Sequence, residues 1–323
     1  MIAFGKLAMA TVILASGATI AKAQSEFPTR TIRFIVPFPP GGGNDILARV
    51  IAAKLSASFK QPVIVENRPG AGGNIGADIV AQSTPDGHTV LLGTNTLAIN
   101  PHIQKSVPFD VRKDLVSVAR LASTPFVLAV PAKSPIMNVA DLVAAAKARP
   151  GRITYASVGI GTPHHLGMEL LKIQMKVDLT HVPYKGSVAA LSDLSAGEVQ
   201  SMLVTINSAL PFVNRKEIRV LGVAEQERLP SLPNIPTLRE SGVPEFEVTA
   251  WYGLMVRAGT PPPVVRKLSE ASLDALRQPD AIEQLQTAGF VLTPGGADQM
   301  QQVLLQELDK WAVVVREARI LPE

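Results

Sequence analysis

The chain contains no cysteine. A protein exported to an oxidising compartment can draw on disulfides, so this one must hold its fold by core burial alone. The absence also excludes a lipidated N-terminal cysteine, so a soluble rather than anchored protein is expected. No G-x-S-x-G elbow and no H-E-x-x-H pair occurs, which removes the usual signatures of serine hydrolases and zinc peptidases. The five histidines are scattered apart from His164-His165. Neighbours on a helix point in different directions, so no metal site, no cofactor and no covalent catalysis are expected. Charge of one sign is also missing. The chain has 31 Lys and Arg against 27 Asp and Glu. Without Lys6 and Lys22 the balance is 29 against 27, a net charge of +2. That near-neutrality leaves no footprint for nucleic acid, and no basic run suits a membrane surface. No repeat period or low-complexity tract is present.

What is present begins with a leader. Lys6 supplies positive charge, Leu7–Ala18 is mostly apolar, and Ala21-Lys22-Ala23 is an A-x-A cleavage pattern before Gln24. The run is too short for a membrane span, and Ser16, Gly17 and Thr19 interrupt it. No Arg-Arg pair indicates the twin-arginine route. A Sec-type signal peptide over residues 1–23 is expected, cleaved after Ala23, with periplasmic location. The remaining 300 residues suffice for two lobes with separate cores.

Thr31–Asp45 reads TIRFIVPFPPGGGND. Thr31–Val36 has the β-branched and apolar make-up of a buried strand. Pro39, Pro40 and Gly41–Gly43 forbid regular structure, Asn44 and Asp45 are candidate N-caps, and a helix is predicted over Ile46–Phe59. A glycine turn between a strand and a helix N-terminus leaves bare backbone N–H groups in the positive field of the helix, which suits an anion. It fits neither a dinucleotide fingerprint nor a phosphate loop. A second copy follows: a strand at Arg152–Val158, a turn at Gly159–Pro163 with Thr162 as N-cap, and a helix from His165. Two such loops in separate halves suggest an anion held between two lobes.

Strand-like and helix-like segments alternate through most of the chain, predicting α/β lobes with mainly parallel sheets. Asn67–Asn74 is a third glycine-rich turn, and Thr89–Gly93 is a strand ending at Thr94-Asn95-Thr96. Further strands are read at Val63–Glu66, Phe126–Val130, Leu179–Val182, Gln200–Thr205, Ile218–Val223 and Trp251–Val256. Late helices are read at Val264–Leu276, Ala281–Ala288 and Ala297–Glu317. Crossings between lobes are placed near Ser123–Phe126 and Phe246–Trp251, which makes a hinge over a cleft. Arg68 is read as an intralobe charge, Trp251 and Tyr252 as hinge packing, and Phe38, stranded in a polar loop, as a ligand contact.

Seven segments taken in order resemble the receptors of tripartite tricarboxylate transporters, the Bug-type periplasmic solute-binding proteins. They are Pro37-Phe38-Pro39-Pro40-Gly41-Gly42 with Asp45; Glu66-Asn67-Arg68-Pro69-Gly70-Ala71-Gly72-Gly73; and Pro85-Asp86-Gly87. Ser157-x-Gly159-x-Gly161-Thr162 with His165-Leu166 and Val182-Pro183-Tyr184-Lys185-Gly186 follow, then Trp251-Tyr252-Gly253 and Gly259-Thr260-Pro261. The resemblance spans the chain from leader to C-terminus. It implies an α/β, two-lobed periplasmic binding protein of the Venus-flytrap, type II-like kind, closing on a carboxylate in the cleft between lobes. Lobe one would comprise 24–124 and 247–323, and lobe two 125–246. It implies no enzymatic activity. The ligand would be a di- or tricarboxylate or an aromatic carboxylate, and the membrane partners the large and small permease subunits. A monomer is expected. The residues expected at the ligand are Phe38, Pro40, Gly41, Gly42, Gly43 and Asp45 of the first loop, Ala71 and Gly72 of the third, Thr94 and Asn95, Ser157, Gly161 and Thr162 of the second, and Thr205. Family members often carry an acidic residue at the end of the strand read at Gln200–Thr205, where Val204 stands. Val204 and Thr205 are therefore expected to line the far side of the cleft without negative charge, favouring a plain organic acid over an amino acid. A secreted α/β enzyme acting on a carboxylate and a ligand sensor are the alternative readings.

Overall fold

The structure is a computed structural model describing residues 27–230 and 232–322. The expected signal peptide and its cleavage point lie outside the described residues. The elements run β1 (Ile32–Val36), α1 (Gly43–Phe59), β2 (Val63–Asn67), α2 (Asn74–Ala81), β3 (Thr89–Thr94), α3 (Thr96–Ile103), α4 (Val111–Asp114) and β4 (Leu115–Pro131). Then come α5 (Val139–Ala148), β5 (Thr154–Ser157), α6 (Pro163–Met175), β6 (Thr180–Pro183), α7 (Ser187–Ala196), β7 (Ser201–Thr205), α8 (Ile206–Asn214) and β8 (Ile218–Val223). The chain closes with β9 (Thr249–Arg257), α9 (Pro262–Ala275), α10 (Pro279–Thr287), β10 (Val291–Gly295) and α11 (Ala297–Glu317).

The strand order is β2-β1-β3-β9-β4-β7-β5-β6, with β10 and β8 also paired to β4. β4 is the spine. Its first part, Leu115–Pro125, lies antiparallel to β9, and its second part, from Phe126, pairs with β7 and β8. The partner switch falls at Pro125, a residue with no N–H to give to a ladder. β4 therefore belongs to both halves of the molecule, and β9 returns from the second half to the first. The sheets are mixed rather than mainly parallel. β1 with β2 and β3, and β5 with β6 and β7, are parallel. The pairings of β4 and the β3–β9 pairing are antiparallel, because the crossing strands run back along each sheet.

Each half has its own apolar cluster, Phe34, Leu47, Ile51, Leu55 and Leu268 in the first, and Val127, Met202, Val204 and Val220 in the second. A third cluster runs under both halves and includes Phe126, Leu166, Leu203, Trp251 and Trp311. The cores are thus not fully separate, as their length alone had suggested. In α11, Met300, Leu304, Leu308, Trp311 and Val315 recur at helical spacing and are buried, which fixes that helix against the shared cluster.

Candidate functional site

In the first loop, α1 begins earlier than the sequence indicated. Its N-cap is Gly42 (φ −84°, ψ 175°), not Asn44 or Asp45. Asp45 stands third in the helix and is buried. Its carboxylate accepts from Arg49 Nε at 2.8 Å, Asn67 Nδ2 at 3.0 Å and the Gly41 N–H at 3.1 Å. The Arg49 hydrogen bond leads in holding its pKa below the ordinary carboxylate value. These contacts turn the Asp45 side chain into the loop. The N–H groups of Gly42, Gly43 and Asn44 have no acceptor among the described residues. Gly41 and Gly42 face open space, while Gly43 packs against the Phe290 ring. Such N–H groups at a helix start, in its positive field, are the elements of an anion site.

The second loop is wired differently. Thr162 caps α6 as expected, its Oγ1 accepting from His165 N at 3.4 Å, with Pro163 in the first turn. That hydroxyl also donates to Gly159 O at 2.7 Å, and the Gly161 N–H donates to His165 Nδ1 at 3.1 Å. Much of the loop's polarity is thus already paired inside the protein. Beneath it, His165 stacks on His181 with ring centres 4.1 Å apart, and His181 Nε2 lies 2.7 Å from Ser157 Oγ. Ser157 is fully buried. Burial, aided by the charges of His181 and Lys172, lowers the His165 pKa to about 3, so the imidazole is neutral and can accept.

The third loop carries positive φ at Gly70, Ala71, Gly72 and Gly73. A lattice of amides holds it: Asn100 Nδ2 reaches Gly72 O at 3.1 Å and Asn74 Oδ1 at 2.7 Å, and Gln104 Nε2 reaches Ala71 O at 3.2 Å. Ala71 and Gly72 face Gly161 and Thr162 across a cavity of about 610 Å³ between the halves, whose walls also include Ile103, Lys105 and Ile160. The halves approach closely here, because a Cβ at Gly161 would collide with the Ile103 side chain. On another side of the interface, Gly289 lies against Asn207, next to Phe290.

The structure thus brings Ala71, Gly72, Gly161 and Thr162 together around one cavity. Phe38 joins the third loop, its ring lying close to where a Gly73 side chain would be. Thr94 is reached through Thr96, hydroxyl to hydroxyl at 3.1 Å. Pro40, Gly41 and Gly42 stand exposed on the first loop. Asn95 is buried as a clamp on β9, donating to Thr249 O at 2.7 Å and accepting from Trp251 N at 3.1 Å. Thr205 ends β7 and its hydroxyl meets Ser208 Oγ at 3.1 Å. The expectation for Val204 is corrected. Alternation along β7 sends Met202 and Val204 into the core of the second half, and Val204 has no exposure. Arg68 pairs within its half with Glu66 at 3.0 Å, and Trp251 is buried. Ile103 and Lys105, not anticipated, come from the end of α3, where Pro101 obscures the helical pattern.

A mixed α/β body whose crossing strands join two lobes over a cleft, with the second and third glycine loops facing it, defines a periplasmic solute-binding protein. Two solved structures have this fold: MatC from Rhodopseudomonas palustris with bound malate, 33% identical with TM-score 0.73, and an R. palustris protein with adipate, 34% identical with TM-score 0.79. The matches cover 90% and 92% of this chain and all of those chains. The profile of the tripartite tricarboxylate transporter family receptor matches residues 47–320, and the chain belongs to that family. A UPF0065 protein from the tcbD-tcbE intergenic region of Pseudomonas sp. strain P51 is 38% identical over 97% of this chain and 94% of its own length. Protein BugT of Bordetella pertussis is 35% identical over 96% of both.

Proposed function

We propose that this receptor captures an organic dicarboxylate and delivers it to a membrane permease built from a large and a small subunit. One carboxylate is held by the N–H groups of Gly42, Gly43 and Asn44, with Arg49 offsetting the Asp45 charge behind them. The cavity between the halves, walled by Ile103, Ile160 and Thr162, is taken as the path of the carbon chain, with Lys105 on its wall as the partner of the distal carboxylate. The observation that carries the reading is the set of acceptor-free N–H groups at the open start of α1. Adipate and malate in the two related structures support the ligand class. Asp45 and Asn95, whose polar atoms are engaged internally, act as positioning residues for the first loop and for β9. Lobe one is taken as 24–124 with 247–323, and lobe two as 125–246; the partner switch of β4 at Pro125 and the start of β9 at Thr249 support this division. The protein acts after export to the periplasm and cleavage behind Ala23, as the leader composition indicates.

Mass spectrometry of ligand released from natively purified protein tests the class directly, and a dicarboxylate is the expected species. Calorimetry with adipate should then show Lys105→Met weakening it severalfold, as loss of a partly screened charge contact would, while hexanoate is unaffected. Release of only neutral or cationic ligands, with no calorimetric response to dicarboxylates, would reject the reading.

A further inference from the structure

Away from the interlobe cleft, β10 and α11 enclose a cavity of about 410 Å³ against Arg120 of β4. Two of its lining groups are polar atoms shut off from solvent without a hydrogen-bond partner, Arg120 Nε and Thr293 Oγ1. Buried polar groups are nearly always paired, and leaving them unpaired is costly. Both lie at irregularities of the sheet. The register of β4 against β9 shifts between Arg120 and Ala122, and that of β10 against β4 shifts between Leu292 and Gly295, bracketing Thr293. Bulges re-aim side chains and recur beside functional sites.

The opposite wall is one face of α11. Gln302 and Gln306 are a helical turn apart and make no side-chain hydrogen bond among the described residues. Gln299 Oε1 accepts from the Gly296 N–H at 3.1 Å, which leaves its amide protons available. No carboxylate of the described residues lines the cavity. The charge of Arg120 acts across space on Glu225, yet the two form no ion pair, and Glu225 instead accepts from Thr249 Oγ1 at 2.6 Å. Among the described residues the cavity is therefore a guanidinium, a hydroxyl and several amides, with no anion to pair them.

We propose that this cavity is a second binding site, taking a small free oxyanion of the carboxylate or phosphate class. The Arg120 guanidinium and the Thr293 hydroxyl contact it on the sheet side, and the Gln302 and Gln306 amides contact it from α11. A planar guanidinium suits such anions because it offers parallel donors to two oxygens. The site is independent of the cleft.

Calorimetry on the full chain in a zwitterionic buffer, with malonate and inorganic phosphate as separate probes, tests it. At least one probe should show a saturable event that Gly42→Val leaves intact and that Arg120→Met weakens at least tenfold. Thr293→Val, nearly isosteric and therefore safe for folding, should weaken the same event severalfold even if Arg120→Met proves unstable. If no event survives in Gly42→Val, or if the surviving event is indifferent to Thr293→Val and to Arg120→Met, the site does not exist.

Discussion

The first and second glycine loops look alike in sequence and differ in what they leave free. Each links a β-strand to a helix N-terminus. The first leaves the N–H groups of Gly42, Gly43 and Asn44 without acceptors among the described residues, is exposed at Gly41 and Gly42, and rests on the ionised Asp45–Arg49 pair. The second pairs the Gly161 N–H with a neutral histidine ring and the Thr162 hydroxyl with Gly159 O, and presses Gly161 against Ile103 of the facing lobe. A loop with open donors can grip an anion in either open or closed state. A loop that is internally satisfied and jammed against the other lobe is suited to closing over it. The pair divides the work of binding, and substitutions in each should fail in different ways.

The largest effect is expected in the first loop. Gly42 has an extended backbone that any residue tolerates, and its side-chain direction is unoccupied. Gly42→Val should therefore leave the melting temperature of the apo protein unchanged while covering the donors. Hydrogen bonds to a charged group are worth about 1.5–3 kcal/mol each, so losing one costs about tenfold or more in affinity. Calorimetry with adipate measures this, and unchanged affinity would remove the first loop from the site.

Next comes Gly161→Ala. Gly161 has φ +72° and its Cβ would strike Ile103, so the variant should resist closure and lose about tenfold in affinity. A ligand can shift the open–closed balance only by its preference for the closed form, and a clash there removes that preference. Ile103→Ala in the same background should restore part of the loss. If it restores none, backbone strain rather than contact across the cleft is responsible, and the closing role falls.

Much of this architecture is legible in the residues. The alternation of β-branched runs with amphipathic helices, and the glycine-proline loops between them, marks most elements to within a few residues. Thr162 and Pro163 announce the start of α6 because capping depends on neighbours only. What the sequence conceals depends on distant partners. The long first part of β4 includes Ser117, Arg120, Ser123 and Thr124, which are polar yet mostly buried by flanking strands. Pro101 and Pro211 disguise α3 and α8. Val204 faces the core because of strand register, which a one-residue slip would reverse. Which loop N–H groups stay free is hidden for the same reason: the acceptor for Gly161 is a side chain whose ring position is set by stacking on His181.

A smaller effect separates the two loops by stability rather than affinity. Thr162 Oγ1 caps α6, whereas α1 has no side-chain cap at all. Thr162→Ala should lower stability by about 1 kcal/mol, the usual value of such a cap, and the melting temperature by a few degrees. Adipate affinity should fall only severalfold, because the hydroxyl already serves Gly159 O and the His165 N–H. A loss as large as that of Gly42→Val would mean that Thr162 touches the ligand directly.

The smallest effect is a response to acid, which the second loop should show and the first should not. Burial lowers the pKa of His164 to about 4 and of His165 to about 3, and also lowers that of His181, from an ordinary 6.5. The unfolded chain then binds more protons than the folded one below pH 6.5, so stability present above that value is lost as pH falls toward 3. Asp45 titrates below 3.8, so the first loop is silent between pH 7 and 5. Glu225 opposes the histidines. Burial raises its pKa from 4.5 to about 7, so its contribution is present at low pH and lost as pH rises through 7. The wild-type melting temperature should therefore drop by only a few degrees between pH 7 and 5. His165→Asn, which keeps an acceptor for the Gly161 N–H, should shrink the drop, and Glu225→Gln should deepen it by removing the opposing group. A melting temperature that rises on acidification, or a drop that His165→Asn leaves untouched, would show that the neutral histidine stack does not support the second loop.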